Sequence, residues 1–89
     1  QKTSNMQEET LPTLIITRPG YYRHYKNLMY QVLGTVRHSE SLESMTLYKA
    51  LYGEQGLWVR PAAMFNEKVE INGVVQDRFT WVGEQPPNA

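Results

Sequence analysis

The sequence predicts an all-β domain, a small barrel of five or six short strands with one single-turn helix. Three observations carry this expectation. Apolar residues alternate with period two from Leu28 to His38, the spacing of a strand with one buried face. Turn punctuation recurs at short intervals, at Pro19-Gly20, at Gly53 with Gly56, and at Asn72-Gly73. The segments between these turns are short and carry aromatic and β-branched residues, as the strands of a small side-chain-filled barrel do.

Residues 1–19 read as a flexible N-terminal segment, polar at first and ending at Pro19, where few apolar groups could be buried. Leu14-Ile15-Ile16 is the exception, either a short strand or a segment pinned against the domain edge. Residues 20–82 form the barrel domain. Tyr21 to Lys26 is an aromatic-rich strand. In the next strand Leu28, Tyr30, Val32, Gly34, Val36 and His38 share the more apolar face, which is assigned to the core. Gly34 in mid-strand marks a bulge or sharp bend. Ser39-Glu40-Ser41 turns the chain into a strand from about Met45 to Tyr52. Leu42, Met45 and Tyr48 also recur at helical spacing, but the strand is favoured because its neighbours are strands and Gly53 and Gly56 bracket a turn. Leu57 to Arg60 is a strand stopped by Pro61, whose fixed φ suits the first position of a helical turn over Ala62 to Phe65. Asn72-Gly73, between Val69-Glu70-Ile71 and Val74-Val75, is a two-residue hairpin loop. Arg78 to Val82 is the last strand, with Phe79 and Trp81 on one face. Residues 83–89 are expected to be a disordered C-terminal tail.

Composition narrows the function classes. Eighty-nine residues suffice for one domain, and a shallow cleft is easier to build at this size than an enclosed active site. With no cysteine there is no disulfide framework, thiolate nucleophile or cysteine-based metal site. The same absence fits a cytoplasmic location. No apolar run approaches the ~18 residues a membrane helix needs. Nine basic and nine acidic residues give no net charge, which argues against a dedicated nucleic-acid binder. The charges are nonetheless segregated: Arg18, Arg23, Lys26, Arg37 and both histidines lie between Thr10 and Ser39, where there is no acid.

Several segments occur in a telling order: Tyr22-Arg23-His24-Tyr25-Lys26, Arg37-His38-Ser39-Glu40, Leu42-Glu43, Tyr48, Ala50-Leu51-Tyr52-Gly53, and Leu57-Trp58-Val59-Arg60-Pro61 followed by Met64-Phe65. Together they resemble the bacterial domain-of-unknown-function family 1653, over roughly Gly20 to Val82. The resemblance implies an SH3-like barrel and brings no reaction with it. Two positions depart from the family pattern. Asn27 stands where glycine is expected after Lys26, and asparagine also tolerates positive φ. Gln31 stands where an acid is expected, so no chemistry can rest on a carboxylate there.

The candidate ligand-binding set is Arg23, His24, Arg37, His38, Tyr48, Trp58 and Arg60. On neighbouring strands, guanidinium forks and imidazoles could hold a carboxylate or phosphate while aromatic faces stack on a planar group. The competing expectation is that Arg23 and Arg37 pair with Glu40 or Glu43 while the aromatic side chains fill the core. His24, His38 and Glu40 share only residue type with a metal site, so no metal is expected, and no cofactor motif is present. Catalytic residues are not identifiable: Ser39 beside His38 is adjacency in sequence, and Glu40 and Glu43 are turn residues. The balance leans away from an enzyme. Tyr30, Trp58, Phe65, Phe79 and Trp81 are assigned to the core, and Tyr21, Tyr22 and Tyr25 to the surface. The function expected is that of a binding or accessory domain. A small anionic ligand is favoured over a protein or peptide partner, and free strand edges leave self-association open.

Overall fold

The computed structural model describes residues 11–86; these are mostly β, with seven strands in two antiparallel sheets and one short helix among the described residues. The strands are β1 (Gly20–His24), β2 (Met29–Arg37), β3 (Ser44–Ala50), β4 (Leu57–Pro61), β5 (Lys68–Ile71), β6 (Val74–Asp77) and β7 (Phe79–Gly83); the helical turn α1 spans Ala62–Phe65. Strands β1 to β4 run as a meander, and β7 returns to pair with β1, giving the order β4-β3-β2-β1-β7. The β5–β6 hairpin forms the second sheet. It turns through Asn72 (φ 53°) and Gly73 (φ 80°), the pair of positive φ angles that a two-residue loop of the expected type requires.

Among the described residues, β4 and β7 are the two edges of the larger sheet and share no ladder. Side chains close the gap instead. Pro61 leads into α1, which delivers Phe65 onto Phe79 of β7, the rings stacked 4.0 Å apart. The Arg60 guanidinium of β4 lies 5.8 Å from the same Phe79 ring. Tyr22, Val32, Tyr48, Phe65 and Phe79 form the core, with Tyr30 and Trp81 packed against them.

One core and one surface assignment made from sequence are corrected. Trp58 is 60% exposed, because it stands on β4, an edge strand with no further neighbour among the described residues. Tyr22, expected at the surface, is only 6% exposed. It occupies β1, flanked by β2 and β7, and its hydroxyl reaches the Arg18 carbonyl at 2.7 Å. A ring with a polar tip can thus be buried while its oxygen is satisfied.

The phase of β2 is also corrected beyond its midpoint. Val32 pairs with Tyr48 and Gly34 with Leu47, leaving Leu33 as an extra residue. This bulge reverses the alternation that follows it. Thr35, opposite Thr46, takes the inner face, whereas Val36, expected in the core, is exposed.

Leu11 to Pro19 contains neither helix nor strand but is tied to the sheet. The Ile15 N–H donates to Ser44 Oγ at 2.7 Å and the Thr17 N–H to Thr35 Oγ1 at 2.9 Å. The Thr17 and Thr46 hydroxyls are 2.7 Å apart, and Asn66 Nδ2 donates to Thr17 Oγ1 at 3.1 Å. Thr17 is buried while Ile15 and Ile16 are exposed, so hydrogen bonds, more than apolar burial, hold this strap. The remainder of the expected N-terminal segment (1–10) and the end of the expected tail (87–89) lie outside the described residues.

Candidate functional site

Strand alternation and turn geometry decide which of the seven candidate side chains meet. Arg23 follows the buried Tyr22 on β1 and is exposed on the opposite face. Arg37 and His38 stand at the far end of β2 from Tyr30. There the Arg37 guanidinium donates to the Leu42 carbonyl at 3.0 Å. His38 Nδ1 accepts the Glu40 and Ser41 N–H groups at 3.0 and 3.1 Å. These two residues build the β2–β3 turn. Among the described residues neither Arg23 nor Arg37 forms an ion pair with Glu40 or Glu43.

His24, Tyr48, Trp58 and Arg60 share the inner face at the other end of the sheet. Tyr48 faces Trp58 across the β3–β4 ladder, and Arg60 lies two residues further along β4. His24 is opposite Phe79 across the β1–β7 ladder, the two rings 4.9 Å apart edge to face. Its other aromatic neighbours are Tyr25 at 4.4 Å and Tyr30 at 6.2 Å.

Beside this group opens a cleft of about 430 Å³, floored by Tyr30 and Tyr48 and flanked by Tyr52, Trp58 and the β3–β4 loop with Glu54. Tyr30 packs edge to face with both Tyr48 and Tyr52 at 5.5 Å, and its hydroxyl is 2.5 Å from that of Tyr52. Burial, and then the hydrogen bond with Tyr52, push the Tyr30 hydroxyl well above the ordinary tyrosine range, so it stays protonated near neutrality. The loop is fixed by its backbone. Leu51 N–H donates to the Met29 carbonyl at 3.0 Å, Gln55 N–H to Tyr52 at 3.1 Å and Ala50 N–H to Gly56 at 3.3 Å. Gly53 and Gln55 supply its positive φ angles, 60° and 58°. Tyr30, Tyr52 and Glu54 were not among the residues singled out as candidates. For Tyr52 and Glu54 the signal is the run Tyr52-Gly53-Glu54-Gln55-Gly56, in which Tyr52 reads as a strand end and Gly53 to Gly56 only as a turn; Tyr30 reads as core.

His24 sits among cations. Burial lowers its pKa, and the charges of Arg78, Lys26 and Arg60 push it the same way. Its Nδ1 accepts the Lys26 N–H at 3.1 Å, which leaves the proton of the neutral ring on Nε2. Arg78 is itself bonded to Glu67 at 2.5 Å. Below the ordinary histidine value of about 6.5, the unfolded chain takes up a proton that the folded chain resists until its own lower pKa is reached. Stability contributed by neutral His24 is therefore present above about pH 6.5 and is lost as the pH falls below it. The thermal midpoint is expected to rise between about pH 5.5 and 7, and His24→Gln should flatten that rise. An unchanged pH profile in the variant would show that His24 is not its source.

Among the described residues no group of three or more His, Cys, Asp or Glu side chains is placed to hold a metal ion. His24 ends β1 and His38 follows β2 at the opposite end of the β1–β2 ladder, so they do not form a joint ligand pair. No helix of the described residues is long and apolar enough to cross a membrane.

The comparisons with known proteins bear on this geometry through the fold. A family model described as a protein of unknown function (DUF1653) matches residues 20–81. A crystal structure of a DUF1653 protein from Bordetella bronchiseptica is similar at 38% identity and a TM-score of 0.73, covering 80% of this chain and 94% of that one. No curated protein matches the chain.

Proposed function

Because the chain belongs to the DUF1653 family of proteins of unknown function, membership supplies a fold and no reaction, and we propose from the geometry that it is a docking module for an extended segment of another protein. The segment adds a strand to the free edge of β4 and places one side chain in the cleft beside it. The observation that carries this reading is the junction of that edge with the aromatic cleft at Trp58. Leu57, Trp58 and Val59 are 63%, 60% and 51% exposed on a strand that, among the described residues, pairs only with β3. An uncovered apolar edge is a template for pairing. Backbone bonds along such an edge provide affinity, and a pocket for an alternate side chain provides selectivity.

A small anionic ligand, the other reading, would rest on Arg60 and His24. Arg23, Arg37 and His38 are turned elsewhere, and neither Arg60 nor His24 lines the cleft. The proposed setting is the cytoplasm of a bacterium, supported by the cysteine-free sequence and by the Bordetella relative.

Selection from a random-peptide display library, run in parallel on the native protein and on Trp58→Ala, tests the reading. The native domain is expected to enrich extended peptides that the variant does not. Their binding should shift the amide resonances of β4. Equal enrichment by both proteins, or none by the native one, would sink it.

A further inference from the structure

Resting on that docking reading, we infer that the side chain received by the cleft is a lysine-type ammonium, carried by the added strand. Three features of the cleft point to a cation. The first is its aromatic lining: Tyr30, Tyr48, Tyr52 and Trp58 present ring systems whose faces are electronegative, and cations are attracted to such faces at separations up to about 6 Å. The second is charge. Glu54 is the sole ionisable side chain of the lining besides the phenols, and the Tyr30 phenol is held in its neutral form. A carboxylate on the rim opposes an anion and complements an ammonium. The third is the position of Arg60, a cation whose charge reaches Tyr30. Arg60 lies two residues beyond Trp58 but is drawn over Phe79, its guanidinium 5.8 Å from that ring, so it does not fill the cleft.

The long flexible stem of lysine suits the shape of the place. Its methylene chain can run along the Trp58 face while the charged head reaches Glu54, an arrangement that keeps the head near water. The cleft opens to solvent beside the exposed loop of Glu54 and Gln55. An entering cation therefore need not be stripped of all its water, and the desolvation penalty that opposes deep burial of a charge is reduced. Because side chains of an added strand alternate between faces, only every second residue of the segment would point inward. The specificity expected is that of one cationic position with unconstrained immediate neighbours.

The experiment uses four alternating alanine–threonine octapeptides that differ at one central residue: lysine, trimethyl-lysine, norleucine or glutamate. Binding is followed by the Trp58 indole resonance of the full chain. At least one of the two cationic peptides is expected to bind about tenfold more tightly than norleucine, the neutral chain of similar length. Glu54→Gln should narrow that margin several-fold without weakening the norleucine peptide. Tyr52→Phe, which keeps the ring and removes the hydroxyl, should retain most of it. A norleucine peptide that binds as well as the cationic ones would overturn the inference, as would a preference for glutamate or no binding by any of the four. Failure here is separable from failure of the docking reading. If display selection returns peptides that require Trp58 yet show no preferred cation, docking stands and the cationic assignment falls.

Discussion

Phe65→Ala is expected to destabilise the domain by about 3–5 kcal/mol, the range for removing a buried phenylalanine. Phe65 is 1% exposed and stands where the two sheet edges fail to meet. It is stacked on Phe79 at 4.0 Å, edge-on to Tyr22 at 5.3 Å and tilted against Tyr48 at 5.5 Å. Alanine would leave all three rings facing a void, so the loss includes cavity formation as well as transfer from water. An ordered unit of this size has a total stability of roughly 4–11 kcal/mol, so the substitution removes a large part of it and the urea midpoint should fall steeply. Phe65→Leu retains much of the volume and should cost appreciably less. Urea unfolding of both variants is the measurement. Equal costs for alanine and leucine would mean that ring packing at this junction does not hold β4 against β7.

The elements written in local chemistry were readable from the chain. Asn72-Gly73 specifies its own hairpin because the turn needs two positive φ angles and those residues tolerate them. Pro61 was readable as the end of β4, since a residue without an N–H cannot carry the ladder further. It caps the helical turn from outside with extended backbone (φ −51°, ψ 133°) and does not occupy its first position. Gly34 announces the β2 bulge. What local chemistry does not encode is which residue the bulge leaves over, and the phase beyond it depends on that choice. Leu33 became the unpaired residue, Thr35 turned inward, and the expected burial of Val36 failed.

The site was less legible than the fold for the same physical reason. Whether an aromatic residue builds core or surface depends on its strand's place in the sheet, a long-range property. Trp58 and Tyr22 have similar local surroundings, short aromatic strands beside turns. Sheet order puts the first on an edge and the second between two strands. The four candidates that converge, His24, Tyr48, Trp58 and Arg60, do so because β7 returns to β1 and α1 draws β4 towards it. Neither event is visible in residue spacing. Tyr52 and Glu54 belong to a loop whose function follows only from the cleft it borders.

The N-terminal junction carries the second large effect. Gly20→Ala is expected to cost about 2–6 kcal/mol, adding backbone strain of about 1–3 kcal/mol to overpacking of similar size. Gly20 has φ 136°, a region that side chains rarely enter. A Cβ there would lie 2.5 Å from Trp81 Nε1 and 2.8 Å from the Gly83 carbonyl oxygen. Neither neighbour can yield freely. The oxygen belongs to the backbone of β7, and the Trp81 ring is held by its N–H bond to the Pro19 carbonyl at 3.2 Å and by the Arg18 guanidinium 3.4 Å above it. Moving the indole would break the contacts that tie Arg18 and Pro19, the end of the strap, to β7. Trp81 fluorescence should therefore shift in the folded variant as well as report its lower urea midpoint. Gly34→Ala is the control, because no atom lies within 4 Å of a Cβ added there and the change should be neutral or stabilising by up to about 1 kcal/mol. If the two alanines behaved alike, the close approach of Gly20 to Trp81 could not be what fixes the register between β1 and β7.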